Sequence, residues 1–346
     1  MKRLAPARAL AAVLVLPALA LTACGSSGSS GSPSTSGSPA TGSGSSASAA
    51  SSPVGTSTSV PGANTDVGIK VDPKFGGSPA LTIPDGPAPK QLTQQVLAKG
   101  SGQPISKGDL LVANYVGETW APKSGKPNVF DSSFSRGEPA AFAIGTGKVI
   151  AGWDKTLVGK KLGSRVLLTI PPADGYGSSG QPSAKISGTD TLVFVVDLVA
   201  AYPSGASAPG TAVGHLPAGL PKFTDVPAKE PKITSTKGVS APKRPQSTLV
   251  VKGSGPKIDS GKTLVMEFVE APIGSSGGSQ STWQGAPQVA SAQNVLGVAD
   301  ALKGQRVGSR AVVLLPATPA VPGSATQQAQ PAQPAQVLIV DVVGQF

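Results

Sequence analysis

One cysteine, one histidine and few aromatic residues set the first limits on this 346-residue chain. A lone Cys24 leaves no partner for a disulfide within the chain. His215 is the single histidine and lies among Pro and Gly, so a His-based metal centre or catalytic triad is excluded from the expectations, and no cofactor is expected. Aromatics make up 4% of residues against 44 Gly and 34 Pro, which assigns much of the chain to linker and loop rather than core. The length then allows about two modest domains. After Leu21 no apolar run approaches the roughly 20 residues that a spanning helix needs. The Gly-Ser-Gly triplets lack the strand, lysine and helix of a phosphate loop and read as turns. Basic residues outnumber acidic ones by 29 to 18, but the lysines are scattered and no recognition motif accompanies them, so nucleic acid is not an expected partner.

What is present begins with residues 1–23, where Lys2, Arg3 and Arg8 precede the apolar run Ala9 to Leu21, the pattern of a signal peptide. Leu21-Thr22-Ala23-Cys24 resembles the lipobox of bacterial lipoproteins, which implies that Cys24 carries lipid and anchors the protein to the outer face of the cytoplasmic membrane. Without the three basic residues of that segment the charge falls from +11 to +8, a sign that favours an anionic membrane surface. Residues 24–61 are almost entirely Ser, Gly, Ala, Thr and Pro and read as a disordered tether.

The remainder reads as two copies of one plan. Pro73-Lys74-Phe75 recurs as Pro221-Lys222-Phe223, Lys99-Gly100-Ser101-Gly102 as Lys252-Gly253-Ser254-Gly255, and Leu162-Gly163-Ser164-Arg165 as Val307-Gly308-Ser309-Arg310. The expected units are 62–202 with a core at 90–202, a linker over 203–220 rich in Pro, Gly and Ala, and 221–346. Runs rich in Val, Leu and Ile predict strands at Asp109 to Val116, Ser164 to Ile170 and Thr191 to Val199, with Ile150 to Leu157 the only good helix of the first copy. In the second copy strands are expected at Thr263 to Val269, Ala311 to Leu315 and Val337 to Val343, and a helix at Val295 to Leu302. Strands around one short helix make an α+β fold, an antiparallel sheet wrapped on that helix, twice over.

Between Tyr115 and Phe194 stand, in order, Tyr115, Phe130-Asp131-Ser132-Ser133, Arg136, Val149-Ile150-Ala151-Gly152-Trp153, Tyr176-Gly177 and Leu192-Val193-Phe194. This spaced set resembles the FKBP family of peptidyl-prolyl cis/trans isomerases over roughly residues 90–202. The resemblance implies a prolyl pocket with Trp153 as floor and Tyr115, Phe130, Phe142, Val149, Ile150 and Phe194 as walls. It further implies Ile186 from the loop before the last strand, and a Tyr176 hydroxyl directed to a substrate carbonyl. Asp131 is expected beside the Tyr115 hydroxyl and Arg136, orienting both; its other reading is a turn residue capping Ser132 and Ser133. Tyr115, Asp131 and Tyr176 are thus the expected catalytic set, with no nucleophile or metal required. Ala140, Lys148 and Gln181 depart from the family at the rim.

The second copy has Phe268 for Tyr115, Val298 for Trp153, Val321 or a neighbour for Tyr176, and no Phe-Asp pair, although Trp283 falls near that position. A Gln, Ala and Pro run from Gln327 to Gln336 stands where a pocket loop is expected. It reads as a degenerate FKBP-like domain without activity. The expected partners are proline-containing clients outside the membrane, and the resemblance also admits a macrolide-type ligand. The alternative is a binding lipoprotein that holds client segments without turnover as its function. The composition and layout resemble actinobacterial lipoproteins of the family.

Overall fold

β-Branched and leucine-rich runs become strands because their side chains pack on a pleated surface that is buried on one face or both. The computed structural model describes residues 63–64, 66–121, 126–225, 228–259, 261–276, 278–290, 297–320 and 331–346. The expectations for the signal segment, Cys24, the tether and Val321 lie outside the described residues, as do parts of the expected helix start and of the Gln-rich run. The described residues belong to one compact unit, Val60–Phe346.

The first stretch contains β1 (Ala63–Asn64), β2 (Lys70–Val71), β3 (Leu81–Thr82), β4 (Thr93–Ala98), β5 (Leu110–Thr119), β6 (Val129–Ser132), α1 (Ser133–Arg136), β7 (Ala140–Ala143), α2 (Ala151–Leu157), β8 (Arg165–Ile170) and β9 (Leu192–Tyr202). Its sheet has the order β1-β4-β8-β9-β5-β6, with β7 also paired to β5; all pairs are antiparallel except β1 with β4. The second stretch contains β10 (Thr211–Ala212), β11 (Lys222–Thr224), β12 (Lys232–Ser235), β13 (Gln246–Lys252), β14 (Leu264–Pro272), β15 (Gln280–Ser281), β16 (Gln288–Ala290), α3 (Val298–Leu302), β17 (Arg310–Leu315) and β18 (Gln336–Gln345). Its sheet has the order β10-β13-β17-β18-β14-β15, with β16 paired to β14. The two orders are the same, strand for strand.

Residues 203–220, expected as a linker, carry β10, which pairs with β13 at the sheet edge, and the buried Ala208 N–H donates to Asp341 Oδ2 at 2.7 Å. One expectation needs correction. Ile150 to Leu157 is not the only helix of the first stretch, because α1 forms one turn from Ser133. Ser132 caps it by accepting from the Ser135 N–H at 3.3 Å, and Gly137 ends it at φ 77°.

Each sheet has two apolar faces. Helix α2 and the inner face of the first sheet share a cluster that includes Leu111, Trp153, Leu157, Leu168 and Phe194. Helix α2 has no side-chain cap and only seven residues, so it is held by packing. Gly152 permits the close approach, since a Cβ there would stand 2.7 Å from the Ile170 side chain. The outer face is covered by a strap around β2 and β3, with Ile69, Leu81 and Ile83 packed on Leu167, Val193 and Val195. In the second sheet the β11–β12 hairpin covers the outer face in the same way, with Phe223 and Ile233 against Val312 and Ile339.

A buried ion pair fastens each strap. Arg165 Nε donates to Asp197 Oδ1 at 2.6 Å, and both side chains are 1% exposed. The same guanidinium donates to the carbonyls of Asp72 (2.9 Å) and Gly77 (2.5 Å), while Gly76 N–H donates to Asp197 Oδ2 at 2.8 Å. Arg310 and Asp341 repeat the pair at 2.6 Å, and Arg310 reaches the Asp225 carboxylate and the Lys229 carbonyl (2.7 Å). Spare donors are therefore satisfied by backbone carbonyls and, at Arg310, by a second carboxylate, the condition under which a buried charge is tolerated. Among the described residues no helix is long and apolar enough to cross a membrane, and no group of His, Cys, Asp and Glu is placed to hold a metal.

Candidate functional site

Strand β5 delivers Tyr115 to the inner face, and pairing with β9 and β7 brings Phe194 and Phe142 beside it. Helix α2 supplies Trp153 from below, 4% exposed. The indole makes T-shaped contacts with Tyr115 (5.4 Å between centroids), Phe142 (4.9 Å) and Phe194 (5.4 Å), and Phe130 stands edge-on to Phe194 at 5.5 Å. Such edge-to-face geometry is the preferred one for aromatic quadrupoles. Gly117 is required between the rings, because a Cβ there would meet Phe194 and Phe130 at 2.6 and 2.7 Å. Trp153 Nε1 is buried with no hydrogen-bond partner among the described residues.

The polar side of the site is built across β5, β6 and α1. The Tyr115 hydroxyl donates to Asp131 Oδ2, Arg136 Nη1 donates to Asp131 Oδ1, and Arg136 Nη2 donates to the Tyr115 hydroxyl at 3.0 Å. Burial, followed by the Asp131 carboxylate, pushes the Tyr115 phenol up to about 12. Ser133 Oγ accepts from the Tyr115 N–H at 2.8 Å and donates to Asn114 Oδ1 at 3.0 Å, which locks α1 to β5. Ser132, not Asp131, is the cap, and the Asp131 carboxylate lies on Tyr115 and Arg136.

Tyr176 stands between two 3₁₀ turns, 37% exposed, and its hydroxyl has no hydrogen-bond partner among the described residues. Burial and then the Asp131 charge raise its phenol above 10.0, so it remains a donor at neutral pH. Val149 and Ile150 are half-buried and Ile186 is 3% exposed, all packed in the cluster of Trp153. The structure thus brings Tyr115, Phe130, Phe142, Val149, Ile150, Trp153, Ile186 and Phe194 into one cluster, with Asp131 and Arg136 on the Tyr115 hydroxyl.

Three supports were missed by sequence reasoning. Asp154 in the first turn of α2 accepts from the Gly145 N–H (2.6 Å) and the Gly147 N–H (2.7 Å), pinning the turn that leads into Val149 and Ile150. Lys155 donates to Asp174 at 2.6 Å and ties α2 to the turn before Tyr176. Ser133 is the third. The Gly145-Thr146-Gly147 spacing, at φ 76° and 73° for the glycines, marks a tight turn, but its carboxylate partner is identified only by the fold.

The register also gives the counterpart of each position in the second sheet. Phe268 pairs with Val340 as Tyr115 pairs with Val196, and Gln280 faces Glu270 as Asp131 faces Gly117. Ser279, Ala290 and Leu338 take the places of Phe130, Phe142 and Phe194. Trp283, expected near the Phe-Asp position, instead packs in the outer-face cluster. With the facing rings gone, Glu270 fits where the first sheet needs Gly117.

Residues 102–199 match the family described as FKBP-type peptidyl-prolyl cis-trans isomerase. An FK506-binding protein of Streptomyces anulatus is 38% identical over 122 residues, which are 35% of this chain and 95% of that protein. A probable FK506-binding protein of Corynebacterium glutamicum is 38% identical over 125 residues, 36% of this chain and 98% of that one. The peptidyl-prolyl cis-trans isomerase FKBP15-1 of Arabidopsis thaliana is 47% identical over 94 residues, 27% of this chain and 58% of that protein. With the aromatic cluster and the Tyr115–Asp131–Arg136 contacts inside the matched segment, the chain belongs to the FKBP-type peptidyl-prolyl cis-trans isomerases.

Proposed function

We propose that this isomerase acts on X-Pro bonds of secreted or envelope proteins outside the cytoplasmic membrane, held there by lipid on Cys24. The observation that carries the catalytic part is the Trp153-centred aromatic cluster, with the Tyr176 phenol within reach of the Asp131 charge. Rotation about an X-Pro bond faces a barrier of about 18–20 kcal/mol because it breaks amide resonance. No bond to carbon is made or cleaved, so the site needs neither nucleophile nor metal. A prolyl ring resting on Trp153 between Phe142, Phe194 and Phe130 leaves water, and an apolar surround favours the twisted amide, whose carbonyl is less polar than the planar one. Tyr176 then donates to the rotated carbonyl, a fixed dipole aimed at the transition state. Tyr115 has its hydroxyl committed to Asp131 and serves as a wall; Asp131 and Arg136 fix its ring.

In this reading residues 62–202 are the isomerase domain and 221–346 a degenerate FKBP-like domain without turnover. The matched strand orders support the likeness, and the exchange of Trp153, Phe142 and Asp131 for Val298, Ala290 and Gln280 supports the loss of activity. Isomerisation of a short X-Pro peptide by residues 60–346, followed by NMR exchange, tests the site beside a Tyr176→Phe, Trp153→Leu variant. Catalysis by the parent alone supports it, and equal catalysis by both overturns the site. Absence of catalysis by a folded parent favours a holding function instead. Mass spectrometry of the mature N-terminus tests the anchor: an unmodified Cys24 overturns it.

A further inference from the structure

The β11–β12 hairpin needs only its inward residues to cover the second sheet, so its outward residues are free to vary, and they are strongly biased. Phe223 and Ile233 face the sheet, while Lys222, Thr224, Lys232 and Thr234 are exposed on the other side. Lys229 and Lys237 flank the two strands, and Lys243 and Arg244 follow, all exposed. The two acids of this stretch each have a partner: the Asp225 carboxylate accepts from the buried Arg310, and Glu230 accepts from the exposed Ser281 hydroxyl. The strap of the first sheet is the control inside the same chain. It does the same packing with Lys70, Lys74 and Lys90 balanced by Asp66, Asp72 and Asp85. Six basic residues against two acids within 23 positions therefore add mutual repulsion that the fold does not require.

We infer that the outer surface of the β11–β12 hairpin is a docking face for an anionic, phosphate-bearing lipid bilayer. The chemistry fits a diffuse sheet of charge rather than a discrete ligand. Five of the six cations are lysines, compact point charges without the fork that grips one phosphate in a bidentate manner. Among the described residues the exposed ones beside them on the hairpin strands are threonines, with no exposed ring on which a nucleobase would stack. A bilayer as the source of phosphate rests on the proposed anchoring at Cys24, which would keep the hairpin near a membrane; the charge asymmetry itself does not depend on it.

The test uses residues 60–346 without lipid, a unit whose four apolar clusters take no residue before Val67. Its partition is measured onto phosphatidylcholine vesicles with and without phosphatidylglycerol. Binding only to the anionic vesicles, weakened by salt, is expected. Each lysine near the surface contributes roughly fivefold, so Lys222→Gln, Lys229→Gln, Lys232→Gln together lower the partition roughly a hundredfold. Lys70→Gln, Lys74→Gln, Lys90→Gln remove the same charge from the other strap and leave it nearly unchanged. Equal losses in the two triple variants, no binding by the parent, or capture of a soluble polyanion such as a duplex oligonucleotide in place of vesicles would overturn the assignment. Because no acyl chain is present, these results stand apart from the fate of Cys24.

Discussion

The Tyr115 hydroxyl and the Asp131 carboxylate are joined across β5 and β6, with Arg136 bonded to both. The contact turns a buried phenol into a fixed wall, since a hydroxyl committed to a carboxylate is not free to bind substrate. Tyr115→Phe removes the hydroxyl and leaves Asp131 to Arg136 alone. A drop in kcat/KM of roughly tenfold, about 1.4 kcal/mol, is expected, and Asp131→Leu should match or exceed it. Peptide isomerisation assays on both, with circular dichroism to verify folding, check this; full activity in both removes Asp131 and Tyr115 from the site.

Tyr176 has a free hydroxyl and a phenol raised above 10.0, so activity should be flat from neutral pH to beyond pH 9. Tyr176→Phe should lower kcat more than it raises KM, because the hydroxyl acts on the rotated carbonyl. A pH–rate profile with a break near neutrality would point to another group.

Asp154 acts through a loop rather than on substrate. Asp154→Ala frees the Gly145 and Gly147 amides and loosens the approach to Val149 and Ile150. Peptide KM should rise several-fold, and Asp154→Asn, which keeps one acceptor, should fall between the two. Hydrogen exchange at Gly145 and Gly147 should accelerate in the order Asn, then Ala. Unchanged exchange in Asp154→Ala would mean that the turn does not rely on the carboxylate.

Glu267 is fully buried in register with Asp341, at the position where the first sheet has the neutral Asn114 opposite Asp197. Burial above all, then the Asp341 and Glu230 charges, push its carboxyl up to about 7 against the Thr282 hydrogen bond. The folded state thus holds a proton that the unfolded chain releases near 4.5. Stability from this group is complete below that value, declines as pH rises through about 7, and is absent above it. Glu267→Gln should flatten that decline and raise stability above neutrality by up to about 3 kcal/mol. Denaturant titrations across the window measure it, and parallel pH curves for parent and variant would exclude Glu267 as the source.

The local pattern specified much of this protein. Val, Leu and Ile runs marked β5, β8, β9, β14, β17 and β18, because a pleat buried on both faces accepts little else, although β5 and β9 extend three residues further than the expected Val116 and Val199. The spaced aromatics identified the cluster at Trp153 and the repeated Gly-Ser-Arg motif anticipated the second sheet. Other features depend on residues brought together only by folding. The partner of Arg165 is 32 residues away and that of Asp154 is a turn recognised by its amides, so neither is legible as a pattern. The place of Gln280 opposite Glu270, and of Trp283 on the outer face, follows from strand register, since a one-residue shift exchanges the two faces of a strand. Thr211 and Ala212, two residues set among Pro and Gly, became a strand edge because β13 offered them an unpaired edge.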